Sequence, residues 1–243
     1  MNQTEPRTPA MKPTLLHISL ITTFLAAAAT AGDSPFNGKD TSGWEVKKRD
    51  GHSSAWTVGA PAPDSANQGI LAVKPGGDAL VNAVPGHGKG IDIHSTATWG
   101  DARIELEVMV PKGSNSGIYV MGEYEVQVFD SFGKTDPGPG DMGGIYGASA
   151  PRLNASTAPG SWQKYVIDFQ APRFDASGKK TANARFLKIE LNGKVIHENI
   201  EVAGPTPGGL SGKEAPTGPI LFQGDHGPVA YRAIKVSELP KKP

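Results

Sequence analysis

Residues 115–133 read NSGIYVMGEYEVQVFDSFG, and the fold follows from them. From Tyr124 onward apolar and polar residues alternate. Tyr124, Val126 and Val128 fall on one face of an extended strand, while Glu125, Gln127 and Phe129 fall on the other. A strand with an apolar face and a second face carrying Glu and Gln predicts one wall of a sandwich whose outer surface floors a groove. The competing reading is a solvated outer face.

The same period recurs along the chain. Ile104, Leu106, Val108 and Val110 share a face, as do Tyr165, Ile167 and Phe169, and again Leu187, Ile189 and Leu191. Asn192-Gly193 is the strongest hairpin signal, because both positions tolerate positive φ, and 194–199 is the returning strand. Segments 70–73, 79–84, 220–223 and 229–236 bring the expectation to about ten strands. After residue 31 no segment sustains apolar residues at helical spacing for three turns. The fold class predicted is all-β: a single antiparallel β-sandwich of the jelly-roll type. Two long connections, 133–161 and 85–98, are rich in Gly, Pro and small polar residues, as functional loops in compact domains are.

The chain has 243 residues, a formal net charge of zero, 31 glycines, 21 prolines and no cysteine. Neutral charge with only short basic runs (Lys47-Lys48-Arg49, Lys179-Lys180) argues against a nucleic-acid partner. Residues 1–31 are expected to be a signal peptide. Arg7 and Lys12 precede an apolar run from Leu15 to Ala29, and Ala29-Thr30-Ala31 fits a small-x-small cleavage site. The run is shorter than the roughly 20 residues of a membrane span. Residues 32–243 are then one domain with no membrane association after cleavage, and the destination is periplasmic or extracellular. Without disulfides, about 210 residues must rely on their core, which at that size buries roughly 70% of the unfolded chain's surface.

Common catalytic motifs are missing: there is no HExxH, P-loop or GxSxG, and residues 113–117 read GSNSG. Gly86-His87-Gly88-Lys89-Gly90 lacks the following helix that phosphate binding needs. The six histidines show no metal spacing, although Asp225, His226, Asp136 and Asp141 could converge on a divalent ion. A second informative stretch is Phe222-Gln223-Gly224-Asp225-His226-Gly227, a glycine-flanked turn between strands. Asp beside His can set the imidazole tautomer and raise its basicity; the alternative is an Asx-type turn with an exposed His. Trp162 opens a strand directly after the long loop and is expected at a groove edge, while Trp44, Trp56 and Trp99 are expected in the core.

The chain resembles the 3-keto-disaccharide hydrolase domain family (DUF1080), whose fold is a concanavalin A-like, laminin-G-like jelly roll. The residues that carry the resemblance are FNGKDTSGWE (36–45), NSGIYV (115–120), YEVQVFDSFG (124–133), GGIYG..AP (143–151), PGSWQKYVIDFQAPRF (159–174), LNGK (191–194) and GPILFQGDHGPV (218–229). Gly224 is a departure, since the family often runs Gln-Asp-His-Gly. The resemblance implies a hydrolase of 3-keto-glycosides or disaccharides that needs no redox cofactor and leaves a divalent ion open. A ketone at C3 acidifies the C2 hydrogen, so a base can remove it, the C1 substituent can leave, and water can add. On this sequence the catalytic candidates it implies are Glu125 or Asp130, with His226 oriented by Asp225. Gln127, Asn115 and Tyr146 would bind sugar hydroxyls or the enolate, and Trp162 would offer a ring face. Glu125 and Asp130 have opposite strand parity and share a groove only across a bulge. Two other readings stand beside this one: a non-catalytic carbohydrate-binding module and a conventional two-carboxylate glycosidase.

Overall fold

The computed structural model describes residues 1, 34–48, 51 and 54–239. Apart from Met1, the expected signal segment lies outside them. Fourteen strands follow in chain order: β1 Trp44–Val46, β2 Trp56–Pro63, β3 Leu71–Asn82, β4 Ile93–Ser95, β5 Ala102–Met109, β6 Asn115–Val120, β7 Tyr124–Phe129, β8 Trp162–Gln170, β9 Arg173–Phe174, β10 Lys180–Ala182, β11 Ala184–Leu191, β12 Lys194–Val202, β13 Leu221–Phe222 and β14 Val229–Glu238. Among the described residues there is no helix, so none that could cross a membrane.

Five strands form one sheet in the order β1-β4-β13-β6-β7, and seven form the other in the order β12-β11-β8-β5-β14-β3-β2, with β9 and β10 as a small separate ribbon. Every strand pair is antiparallel. This is the expected β-sandwich. Its core is built from the inward parity of each strand: Tyr124, Val126 and Val128 from β7, Ile104, Leu106 and Val108 from β5, and Tyr165, Ile167 and Phe169 from β8 are all fully buried. Phe222 of the smaller sheet stacks on Tyr231 of the larger, with centroids 3.8 Å apart and planes 7° from parallel. Such a contact fixes the two sheets face to face.

Three local expectations need correction. Segments 70–73 and 79–84 belong to one strand, β3, whose pairing with β2 shifts register between Gly59 and Ala60 so that residues 75–78 bulge outward. Segment 85–98 is not all loop, because β4 lies within it. Strand β2, WTVGAPAP, gives no strand pattern because it holds two prolines; it is an edge strand, where missing N–H donors are tolerated. The Asn192-Gly193 turn is as expected, with φ of 52° and 75° and Leu191 paired to Lys194.

Strand β7 is the edge of the smaller sheet, yet it is not bare. Residues 143–146 lie along it: Gly143 N donates to Gln127 O (2.8 Å), Gln127 N to Gly144 O (2.8 Å) and Tyr146 N to Glu125 O (3.1 Å). Behind this segment Met142 and Ile145 enter the core, and buried His197 contacts Gly143 O through Nε2 at 2.9 Å.

Candidate functional site

The outer face of the β6–β7 hairpin carries a pocket. In register, Tyr119 faces Glu125, Gly117 faces Gln127 and Asn115 faces Phe129. All six point away from the core, since inward parity belongs to Ile118, Val120, Tyr124, Val126 and Val128. Gly117 leaves a hollow in this row, and the Glu125 carboxyl lies over it: a Cβ on Gly117 would stand 2.3 Å from Glu125 Oε1. The resulting cavity, about 220 Å³, is lined by Asn115, Tyr119, Glu125, Gln127, Tyr146, Pro207, Gly208, Gln223 and His226. Glu125 and Gln127 are only 3% and 4% exposed, so the solvated-face reading of this strand is wrong.

Each wall has an identifiable support. Asn82, fully buried on β3, donates through Nδ2 to Gly224 O (2.7 Å) and Gly227 O (3.1 Å), clamping the turn that presents Asp225 and His226. Gly224 N donates to Asp92 Oδ1 at 2.9 Å, and a Cβ on Gly224 would stand 2.1 Å from Ile91 O. The glycine that departs from the family pattern is therefore demanded by a backbone-to-backbone contact with the 90–92 segment. The opposite rim is the 206–212 loop. Glu123, at the hairpin turn, accepts from Ser211 N (2.8 Å), Ser211 Oγ (2.6 Å) and Gly212 N (2.9 Å). Lys47 Nζ donates to Gly208 O and Gly209 O, and Tyr119 Oη donates to Pro207 O at 3.0 Å.

The electrostatics centre on two groups. Burial pushes the Glu125 carboxyl up to about 7, and the Tyr119 hydroxyl and the His226 charge only partly offset it. His226 is shifted the opposite way to a buried imidazole: its hydrogen bond to Asp225, Nδ1 to Oδ1 at 2.5 Å, outweighs desolvation and raises its pKa above 6.5. With Nδ1 held by Asp225, Nε2 is the nitrogen that remains for the pocket. The imidazole of His87 packs edge-on against His226, with centroids 4.1 Å apart. A carboxyl pushed up to about 7 beside an imidazole whose pKa is raised can exchange protons with a bound molecule in either direction. Asn115 Oδ1 is buried without a hydrogen-bond partner, an acceptor in place for a ligand's donor.

Of the residues singled out in the sequence, Asn115, Glu125, Gln127, Tyr146 and His226 meet at this pocket, with Asp225 directly behind the imidazole. Asp130 does not join them. Strand β7 pairs with β6 without a bulge, so Asp130 keeps the opposite parity, and its oxygens accept from Gly113 N (2.9 Å) and Phe132 N (3.4 Å). Trp162 is also elsewhere, on the outer face of the larger sheet beside Met109, with the Arg232 guanidinium 4.0 Å from its ring centroid. Trp44, Trp56 and Trp99 are core residues, as expected. Asp141 is spent on Ser131, Lys134 and Gly138, and among the described residues no three His, Asp or Glu side chains are arranged to hold a metal ion.

Sequence reasoning missed Tyr119, Gln223 and the 207–208 rim. Tyr119 could have been found, since it shares the parity of Asn115. The rim could not, because it is joined to the hairpin only through contacts more than 80 positions apart in the chain.

Comparison with solved structures finds the same fold. One similar protein, described as a candidate glycosyl hydrolase from Parabacteroides distasonis ATCC 8503, is 29% identical with a TM-score of 0.63, over 86% of this chain and 84% of that one. A second, of the same description and organism, is 17% identical with a TM-score of 0.57, over 86% of this chain and 94% of that one, and speaks to the fold alone. No curated protein matches. Residues 33–237 match the family model described as the 3-keto-alpha-glucoside-1,2-lyase-like domain. The family and the first of these relatives place the chain among proteins of glycoside-hydrolase-like or carbohydrate-binding character. Through that match, which spans nearly all of the sandwich, the chain belongs to the 3-keto-disaccharide hydrolase family that its own motifs resemble.

Proposed function

We propose that this protein cleaves glycosides whose sugar carries a ketone at C3, by removal of the C2 proton, elimination of the C1 substituent and hydration of the product. The carrying observation is the composition of the pocket: among the described residues lining it, Glu125 is the one carboxylate, and its companion is a histidine. A conventional glycosidase needs two carboxylates flanking one bond. Elimination needs one base and one acid. Glu125, ionised, takes the proton from C2; the C1–O bond breaks as a C1=C2 double bond forms in conjugation with the ketone; the departing oxygen takes a proton from His226 Nε2. Water then adds across that double bond, its oxygen to C1 and a proton to C2. Asn115, Gln127 and Tyr146 bind sugar hydroxyls or the enolate oxygen. We place this activity in the periplasm or outside the cell, on the strength of residues 1–31.

The test is turnover of a 3-keto-glucoside beside its unoxidised parent. Release of the C1 substituent from the keto compound alone is expected. Hydrolysis of both would favour the conventional glycosidase, and tight binding of either without release would leave a carbohydrate-binding module.

The same chemistry sets the pH profile. Activity requires Glu125 ionised and His226 protonated, so kcat/KM rises as Glu125 ionises at about 7 and falls as the His226 imidazolium, whose pKa Asp225 raises, loses its proton. Asp225→Asn removes the largest influence raising the His226 pKa. Its alkaline limb is expected to move to lower pH by more than the acid limb, because Asp225 is the largest influence on His226 and only the last of several on Glu125. An alkaline limb that stays put would show that His226 is not the acid.

A further inference from the structure

Tyr119 stands opposite Glu125 in the β6–β7 register, and its hydroxyl has more acceptors around it than protons to give. The side chain is buried. Its Oη accepts from Gln223 Nε2 at 3.4 Å and donates to Pro207 O at 3.0 Å. The rim rests directly on this oxygen: Gly208 has a φ of 86°, and a Cβ there would stand 2.7 Å from Oη. The third neighbour is the Glu125 carboxyl, within hydrogen-bonding reach of the same hydroxyl. A phenol carries one proton. It serves Pro207 O or the Glu125 carboxylate, and not both.

Which of the two it serves depends on Glu125. Burial, and after it the Glu125 charge, raise the Tyr119 hydroxyl far above its ordinary value, so Tyr119 keeps its proton and stays a donor. A protonated Glu125 leaves that donor to Pro207 O. An ionised Glu125 draws it away, because a charge-assisted hydrogen bond is about twice as strong as a neutral one. Pro207 and Gly208 are exposed, so the carbonyl left behind is taken up by water. The other groups facing the carboxyl are His226, which also favours its ionisation, and Asp92 and Asp225, which oppose it. Tyr231 of β14 lies behind it, with its hydroxyl paired to Ser116 Oγ at 2.8 Å. We infer that Tyr119 is the positioning residue of the base: when Glu125 gives up its proton, the Tyr119 hydroxyl turns from Pro207 O to the carboxylate, so that ionising the base and loosening the rim at 207–210 are one event. The rim keeps its ties to Glu123, Lys47 and the backbone of Glu125, which donates to Thr206 Oγ1 at 2.9 Å, so the loosening is local. That Glu125 acts as the base rests on the function proposed above; the coupling is a property of the unliganded protein.

Hydrogen exchange at the Leu210 amide, which donates to Gly122 O at 2.7 Å, reads the rim, with the amides of β5 as a gauge of global unfolding. It is measured on wild type, Tyr119→Phe and Glu125→Gln at about pH 5 and about pH 9, each rate corrected for the intrinsic pH dependence of exchange. Relative to β5, wild-type protection at Leu210 should fall roughly threefold to tenfold between the two, as loss of one hydrogen bond implies. Glu125→Gln should stay protected at both, and Tyr119→Phe should be equally unprotected at both. Phenylalanine keeps the buried ring in place, and wild type against Glu125→Gln decides the coupling by itself. Carboxyl NMR should show the Glu125 titration move up from about 7 by about one pH unit in Tyr119→Phe, the tenfold that losing a hydrogen bond to a charge implies. A rim in wild type that does not respond to pH, or a Glu125 titration that does not move, would overturn the coupling. In turnover of a 3-keto-glucoside, the acid limb of Tyr119→Phe should move with the titration. A carboxyl that moves while the acid limb stays would keep the coupling and remove Glu125 as the base.

Discussion

Glu125→Gln is expected to cut turnover of a 3-keto-glucoside by about 10³-fold and, at the same time, to stabilise the fold above neutral pH. The first effect follows from losing the one carboxylate among the described residues that line the pocket. The second follows from where that carboxylate sits. Burial raises its pKa from 4.5 to about 7, so the folded chain holds this proton more tightly than the unfolded chain does. The sign is then fixed: the stabilisation is complete below about 4.5 and is lost as pH rises through about 7. A shift of this size corresponds to about 3 kcal/mol, an amount that glutamine, which does not titrate, would not lose. Chemical denaturation of wild type and variant at pH 4.5 and pH 8 checks it. Similar stabilities at the lower pH and a more stable variant at the higher are expected. A variant that is inactive but no more stable at pH 8 would mean that Glu125 is ionised and comfortable in its pocket, and so a poor base.

Gly224→Ala is expected to be severely damaging to the site. Its Cβ would stand 2.1 Å from Ile91 O and 3.0 Å from Trp56 Nε1, two groups that hydrogen-bond each other at 2.7 Å. No side-chain rotation relieves a clash with backbone, so the 224–227 turn must move away from the 90–92 segment. That movement stretches the Asn82 and Asp92 hydrogen bonds and carries Asp225 and His226 with it. A cost of about 3 kcal/mol is expected, a Tm lower by roughly 6–12 °C for a domain of this size, together with loss of turnover. Gly204→Ala, where a Cβ meets nothing within 4 Å, is the control and should leave Tm unchanged. Equal melting of the two variants would show that the contact at Gly224 is relieved cheaply.

What could be read from the sequence was whatever a strand's period of two can encode. That period placed Tyr124, Val126 and Val128 inside and Glu125 and Gln127 together on the face that became the pocket floor. It also flagged Asp130 as out of phase, and the unbulged β6–β7 register removes it from the site. Trp162 misled because its position after a long loop suggests a rim, whereas parity sends it to the outer face of the other sheet. Tyr119 was hidden by its apolar neighbours, which made the strand look wholly internal. The 206–212 rim was not legible at all, because nothing local in a Gly- and Pro-rich loop says that a carboxylate at Glu123 will capture it. Gly224 was visible as a departure, but its reason lies in a neighbouring backbone that only folding brings near.

The segment 143–146 has a duty besides carrying Tyr146. A sheet edge with open N–H and C=O groups is a template on which another chain can add a strand. By occupying the rim of β7, this segment shields that template in every molecule. Anything that loosens it, such as a substitution of His197 behind Gly143, would therefore do two things together. It would deprive the pocket of Tyr146, and it would make the protein adhesive to its own copies, so that loss of ligand affinity and loss of colloidal solubility would rise and fall as one property.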